Sequence, residues 1–201
     1  MTIRAVIFDI GGVLIHTVDT SKHKKWEQRF GLNEGELFNI AIQTGFEREA
    51  TVGEITEQEL FRRIAESSHL NEAELEEFKD AFWSSEQLDT ELAAFLKSLR
   101  PRYKTATLSN AWSDARVEVN RKFHLDELVD AQFFSAEEGV AKPNPQFYRI
   151  ALEYLNVQPD EAVFLDDVRQ NVDAARQLGM HTIQYKNTVQ AIADVRNLVG
   201  A

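Results

Sequence analysis

Cysteine is absent from the 201 residues of the chain. That excludes disulfides, thiolate metal sites and cysteine nucleophiles together, and it suits a reducing compartment such as the cytoplasm. Long apolar runs are missing too. The opening stretch MTIRAVIFD carries one Arg and an apolar segment too short for a signal-peptide core or a membrane span. Basic charge is scarce: 22 Lys and Arg against 33 Asp and Glu leave a net charge of −11, which argues against nucleic-acid and anionic-membrane partners. A small anionic ligand stays compatible, because a few Lys side chains, helix N-termini or a metal ion can make one site locally positive. Internal repeats, low-complexity runs and Gly/Ser linkers are also lacking. A cytoplasmic monomer or weak homodimer acting on a small molecule is the expectation.

What is present is strand and helix in alternation. Segments 3–9 (IRAVIFD), 103–109 (YKTATLS), 131–134 (AQFF), 162–167 (AVFLDD) and 181–185 (HTIQY) are short and apolar on both faces, as in a buried parallel sheet. Between and beyond the later ones lie helical patterns. Leu92, Phe95, Leu96 and Leu99 share one face, as do Val189, Ile192, Val195 and Val199. Asn144 and Pro145 read as N-cap and first helical residue, and Gly179 stands where a helix through Val172 and Ala175 would stop. The alternation predicts an α/β fold: a Rossmann-like parallel sheet with helices on both faces. From His16 to Ser84 no strand candidate occurs. Asn33 with Glu36, Thr56 with Glu59 and Asn71 with Glu74 have capping spacing, and Leu60, Ile64, Leu75, Phe78 and Phe82 supply apolar faces. We therefore expect a core domain from residues 1–15 and 85–201 and a helical cap domain, 16–84, inserted after the first strand.

In VIFDIGGVLIHT, residues 6–17, a single carboxylate, Asp9, ends an apolar strand. A buried charge of this kind costs several kcal/mol unless it is paired. In an open parallel sheet ligands gather at the carboxyl ends of the strands, so those ends are read together. They hold Asp9, Ser109-Asn110 and Asp166-Asp167, with Lys142 in the intervening GVAKPNPQF. Three carboxylates at one edge repel one another unless a hard cation neutralises them, and Mg²⁺ favours oxygen ligands together with substrate phosphate. A Mg²⁺ and phosphate site follows.

FDIGGVL, LSN, GVAKPNPQFY and FLDDVRQNVDAARQLG, in this order, resemble the four motifs of the haloacid dehalogenase-like (HAD) hydrolase superfamily, and the helical insertion falls at its cap position. GEITEQEL at 53–60 further resembles the subgroup of bacterial sugar-1-phosphate phosphatases and the phosphatase domain of soluble epoxide hydrolases. The resemblance implies that Asp9 is a nucleophile forming an aspartyl-phosphate and that Ser109 and Asn110 hydrogen-bond the phosphoryl group. It also implies that Lys142 neutralises charge there. Mg²⁺ would be held by Asp9, Asp167, the Gly11 carbonyl and Asp166, the last directly or through water. The superfamily's phosphatases carry a second Asp, a general acid, where this chain has Gly11. Its loss is worth ~10² to 10⁴ in rate, so anomeric, acyl or aryl phosphates should suffer least.

His16, on the path to the cap, is a candidate substitute proton donor and substrate contact, against the alternative of a solvated hinge histidine. Trp112 either packs the helix start or stacks on a substrate. The basic run KHKKWEQRF at 22–30 is either a solvated helix face or a set of cations over the cleft. Cap movement is expected about hinges near His16 and Ser84–Ser85. The leading function is Mg²⁺-dependent hydrolysis of a small organic phosphomonoester, foremost a sugar phosphate. The alternatives are a weak or inactive HAD domain that binds a phosphorylated ligand or protein, supported by Gly11, and a haloacid dehalogenase. The paired Asp166-Asp167 speaks against the last.

Overall fold

The computed structural model describes residues 2–84 and 86–200. In chain order the strands are β1 (Ala5–Phe8), β2 (Ile15–Thr17), β3 (Glu86–Leu88), β4 (Lys104–Ser109), β5 (Ala131–Phe134), β6 (Ala162–Asp166) and β7 (His181–Gln184). Five form a sheet of order β5-β4-β1-β6-β7, every neighbouring pair parallel. β1 is therefore central, with β4 and β6 on either side, and Val6 stands opposite both Thr105 and Val163. The chain runs outward from β1 through β4 to β5, then returns to the other side of β1 for β6 and β7. That reversal opens a crevice at the carboxyl ends beside β1.

Period-two alternation splits β1 between two cores. Val6 and Phe8 face one, with Leu92 and Leu96 of α6 (Thr90–Ser98) and Ile192 and Val195 of α11 (Thr188–Val199). Ala5 and Ile7 face the other, with Phe147 and Ala151 of α9 (Pro145–Leu155) and Ala175 of α10 (Arg169–Gln177). Helices thus cover both faces, as expected, and α7 (Ala115–Phe123) and α8 (Ser135–Glu138) complete this part of the chain. Val189 departs from the expected stripe on α11: it is 73% exposed, and Ala191 takes the inward position.

The insert contains α1 (His23–Phe30), α2 (Asn39–Gln43), α3 (Glu47–Thr51), α4 (Glu57–Ser67) and α5 (Glu72–Phe82) around its own aromatic cluster of Trp26, Phe61, Phe78 and Phe82. Thr56 caps α4 through the Glu59 N–H, and Asn71 with Glu74 forms a complete capping box on α5. Asn33 with Glu36 does not start a helix. The Glu36 carboxylate accepts from the Asn33 backbone and side-chain amides at 3.0 and 2.9 Å, but Gly35, at φ 86°, turns the chain left-handed inside what would be the first helical turn. A further departure lies at the junction. β2 and β3 pair antiparallel, His16 opposite Gln87, so the chain leaves and re-enters the sheet domain through a short ribbon where no strand was expected. Three-residue strands are too short for alternation to show. Ser84 closes a turn after α5 by donating its hydroxyl to Ala81 O at 2.8 Å; Ser85, the other half of the expected hinge, lies outside the described residues.

Candidate active site

Asp9 continues β1 by one residue: its N–H donates to Leu165 O at 2.8 Å, which fixes it against β6. Its Oδ1 accepts from the Ile10 N–H at 2.7 Å and lies 2.9 Å from Lys142 Nζ. Oδ2 carries no hydrogen bond among the described residues. Burial pushes the Asp9 carboxyl up to about 7, against the lowering pull of Lys142. The buried charge thus has an ammonium partner supplied from 133 residues further along the chain.

Lys142, only 4% exposed, also donates to Asp166 Oδ2 at 2.7 Å. Burial alone would lower its ammonium, but Asp9 and then Asp166 outweigh that and hold it above its ordinary value. The loop that presents it is clamped by Asn110, whose Oδ1 accepts from the Lys142 N–H at 2.7 Å while its Nδ2 donates to Lys142 O at 2.8 Å. The Asn110 side chain therefore holds the lysine loop in register with the end of β4. Ser109, buried at the last position of β4, lines the cleft beside it.

Asp166 ends β6 fully buried. Oδ1 accepts from the Val168 N–H at 2.8 Å, and both oxygens receive Asn171 Nδ2 at 3.2 and 3.1 Å. Asn171 was not anticipated from the sequence, although its place five residues after Asp166, in the first turn of α10, is where a helix-start amide reaches back. Ser135 was missed as well. Fully buried at the end of β5, it accepts from the Ala111 N–H at 2.9 Å and donates to Ala111 O at 3.1 Å, pinning the loop after β4.

One oxygen from each of Asp9, Asp166 and Asp167 lies within 4.8 Å of the other two. Asp167 is the most open to solvent of the three, and burial followed by Asp166 raises its carboxyl above the ordinary range. Three carboxylates against one ammonium leave two uncompensated negative charges, the number a divalent cation balances. The donors are hard oxygens, which fit Mg²⁺. Gly12 shapes the same spot: at φ 74°, a Cβ there would sit 2.6 Å from Asp167 Oδ2. A Cβ on Gly11 would meet nothing within 4 Å.

A cleft of about 570 Å³ opens between this cluster and the insert, with Gly11, Gly12, Ser109 and Asn110 on its floor. His16, on β2, lines the wall; its ring stacks on Tyr185 at 5.8 Å, and Nε2 lies 3.4 Å from the Tyr185 hydroxyl. Trp112 also lines it but packs as part of the insert's aromatic cluster, stacked on Phe82 at 5.2 Å. The basic run does not reach the cleft. Lys22, Lys25 and Arg29 pair with Asp80, Glu77 and Glu74 of α5, and Lys24 pairs with Glu34. A separate groove between α9 and α10, lined by Pro145, Arg169 and Asp173, shares no lining residue with this cleft.

Residues 3–179 match the haloacid dehalogenase-like hydrolase family model. Bifunctional epoxide hydrolase 2 of Sus scrofa is 30% identical across the whole of this chain, which spans 39% of that longer protein. D-ribitol-5-phosphate phosphatase of Bacteroides thetaiotaomicron is 25% identical, with 92% of this chain and 93% of that one aligned. Among solved structures, a mutant HAD family enzyme of Bacteroides thetaiotaomicron, in complex with magnesium and inorganic phosphate, superposes with a TM-score of 0.76 at 25% identity over 92% of this chain and 94% of that one. The match begins before β1 and runs past the end of α10, spanning every strand-end segment gathered around Asp9: this chain belongs to the haloacid dehalogenase-like hydrolase family.

Proposed function

We propose that the protein is a Mg²⁺-dependent phosphatase of small organic phosphomonoesters, working through an aspartyl-phosphate on Asp9, with residues 16–84 as a cap over the cleft. The observation that carries this is Lys142 held between Asp9 and Asp166, with Asp167 alongside, adjoining Gly12 and Asn110 of an open cleft. Asp9 Oδ2, free of protein donors, is the oxygen that would attack phosphorus. As its bond to phosphorus forms, the ester P–O bond breaks and the alcohol departs; water then attacks the acyl phosphate, releasing phosphate and restoring Asp9. Lys142 and Ser109 stabilise the charge on the transferring group, and Asn110 positions Lys142 through its backbone. Bound Mg²⁺ would supply Lewis-acid polarisation of a phosphoryl oxygen. Asp9, Asp167 and the Gly11 carbonyl are its proposed ligands, with Asp166 acting through water because both its oxygens are already engaged by protein donors.

Gly11 leaves the alcohol without the family's usual Asp, so its proton comes from water or from His16 on the cleft wall. The same glycine favours the second reading, a weakly active domain that mainly binds a phosphorylated ligand. Likeness to D-ribitol-5-phosphate phosphatase supports a sugar or polyol phosphate as substrate. The clustered carboxylates weigh against a haloacid dehalogenase, which needs no metal. Phosphate release across sugar, acyl, aryl and nucleotide monophosphates, with and without Mg²⁺, tests the proposal. Metal-dependent turnover abolished by Asp9→Asn is expected; the absence of any such turnover favours the binder.

A further inference from the structure

We infer that the cleft selects phosphate monoesters whose organic group is free of a second negative charge and carries an apolar face, with Glu47 setting the charge selectivity. The inference rests on the phosphatase reading only for where the phosphate sits.

The cleft is electrically polarised along its length. Behind the floor, Lys142, whose backbone is held by Asn110 of the lining, supplies a cation beside Asp9. Toward the insert the charged side chains lining it are Glu47 and Glu86, and among the described residues no Lys or Arg lines it. Nearby cations are committed elsewhere. Lys122 lies 3.3 Å from Glu86 Oε2 and donates to Trp83 O at 3.0 Å, and the basic run of α1 is paired with acidic partners within the insert. Glu47 Oε1 accepts from the Thr51 hydroxyl at 3.1 Å and forms no ion pair among the described residues. A bisphosphate, a nucleoside polyphosphate or a phosphorylated carboxylic acid would bring its second anion against Glu47, which has no ion-pair partner among the described residues, and near Glu86, already paired with Lys122.

The remaining wall is apolar and uncovered. Ile42 and Phe38, from α2 and the residue before it, stay 61% and 39% exposed although both line the cleft, and Trp112 and Val119 line it as well. Large apolar side chains left open in a concave site are the surface an apolar portion of a ligand covers. A neutral group fits this end: its carbon skeleton covers Ile42 and Phe38, and its hydroxyls, where present, donate to Glu47.

Calorimetric titration of the wild-type chain in Mg²⁺ tests this with non-hydrolysable phosphonates: methyl, hexyl, and hexyl-length chains ending in an alcohol or a carboxylate. Affinity is expected to rise by about threefold per buried methylene and to fall by about tenfold or more when the terminal alcohol becomes a carboxylate. Glu47→Gln is expected to shrink that carboxylate penalty. Equal affinity for the alcohol and carboxylate ends, or no binding of any phosphonate, overturns the inference. Phosphate release from p-nitrophenyl phosphate, run in parallel, separates the two readings. Discrimination in binding without release sinks the phosphatase and keeps the cleft selectivity; release without discrimination does the reverse.

Discussion

Lys142 pairs with two carboxylates at once, at 2.9 and 2.7 Å, and all three groups are buried. Removing one partner of such a buried group leaves the others uncompensated, a loss of about 3–5 kcal/mol. Lys142→Met is therefore expected to lower unfolding free energy by that order in chelator-treated protein, measured by urea denaturation, with part of the loss recovered on adding Mg²⁺. Gly11 and Gly12 make a sharper pair. Gly11 has open space and no left-handed φ, so Gly11→Asp can be accommodated. It should raise kcat/KM for poor leaving groups such as alkyl phosphates by about 10-fold or more, and for aryl phosphates much less; equal gains on both would contradict the missing-acid explanation. Gly12→Ala must displace Asp167 and strain a φ of 74°, so a weaker Mg²⁺ requirement curve, read from activity against metal concentration, is the expected result. At this scale the sequence revealed the charged groups but not what aims them. Asp9 and Asp166 announce themselves as charges at strand ends, and Lys142 as a cation in the loop ahead of α9. Asn110 stood out at the end of its strand as a phosphoryl contact, but nothing signalled that its side chain clamps the Lys142 backbone, and Asn171 and Ser135 are of residue types too common in loops and helix starts to be noticed.

Several contacts hold the insert against the rest of the chain. Trp112 of the loop after β4 stacks on Phe82 with planes 22° apart, Ser113 Oγ accepts from the Glu57 N–H at 3.0 Å, and Gly53 approaches the Ala136 carbonyl so closely that a Cβ would lie 2.1 Å from it. Trp112→Ala should cost roughly 2–3 kcal/mol, less than for a fully buried aromatic, with amide exchange rising first in α4 and α5. Glu57 adds a pH dependence. Burial raises its carboxyl from 4.5 to about 7, partly opposed by the hydrogen bond from Trp83 Nε1 and reinforced by Asp114 and Glu118. The folded state therefore holds a proton that the unfolded chain gives up near 4.5, so this group lowers stability as pH rises from about 4.5 to about 7. Glu57→Gln keeps an acceptor for Trp83 and should add roughly 1–2 kcal/mol at about pH 8 but almost nothing at about pH 4; chemical denaturation at both checks it. Helix signals in the insert were readable where a cap faced an apolar stripe, as at Thr56 and Asn71. The β2–β3 ribbon was not, because its stability comes from pairing across 71 residues of sequence, His16 with Gln87, and not from local pattern.

Across the whole molecule, the order of apolar strands and amphipathic helices was enough to anticipate a parallel sheet covered on both faces, since burial on two sides leaves a run of β-branched and aromatic residues that no surface strand tolerates. The charge distribution was less readable. A net charge of −11 conceals a single buried ammonium at the sheet edge and a basic helix fully occupied by its neighbour. Among the described residues no helix is long and apolar enough to cross a membrane. The fold gathers four distant segments around Asp9 and leaves one of its oxygens free, and the central proposal is that this oxygen attacks phosphorus. Its most direct test is turnover of an aryl phosphate stopped in acid during the first cycles, followed by mass spectrometry of the peptide that contains Asp9. A phosphoryl group should be found on Asp9, should be removed by hydroxylamine as an acyl phosphate is, and should be absent from Asp9→Asn. Turnover with Asp9 unphosphorylated at every time of quenching, or with the phosphoryl group on another residue, would contradict a nucleophilic aspartate.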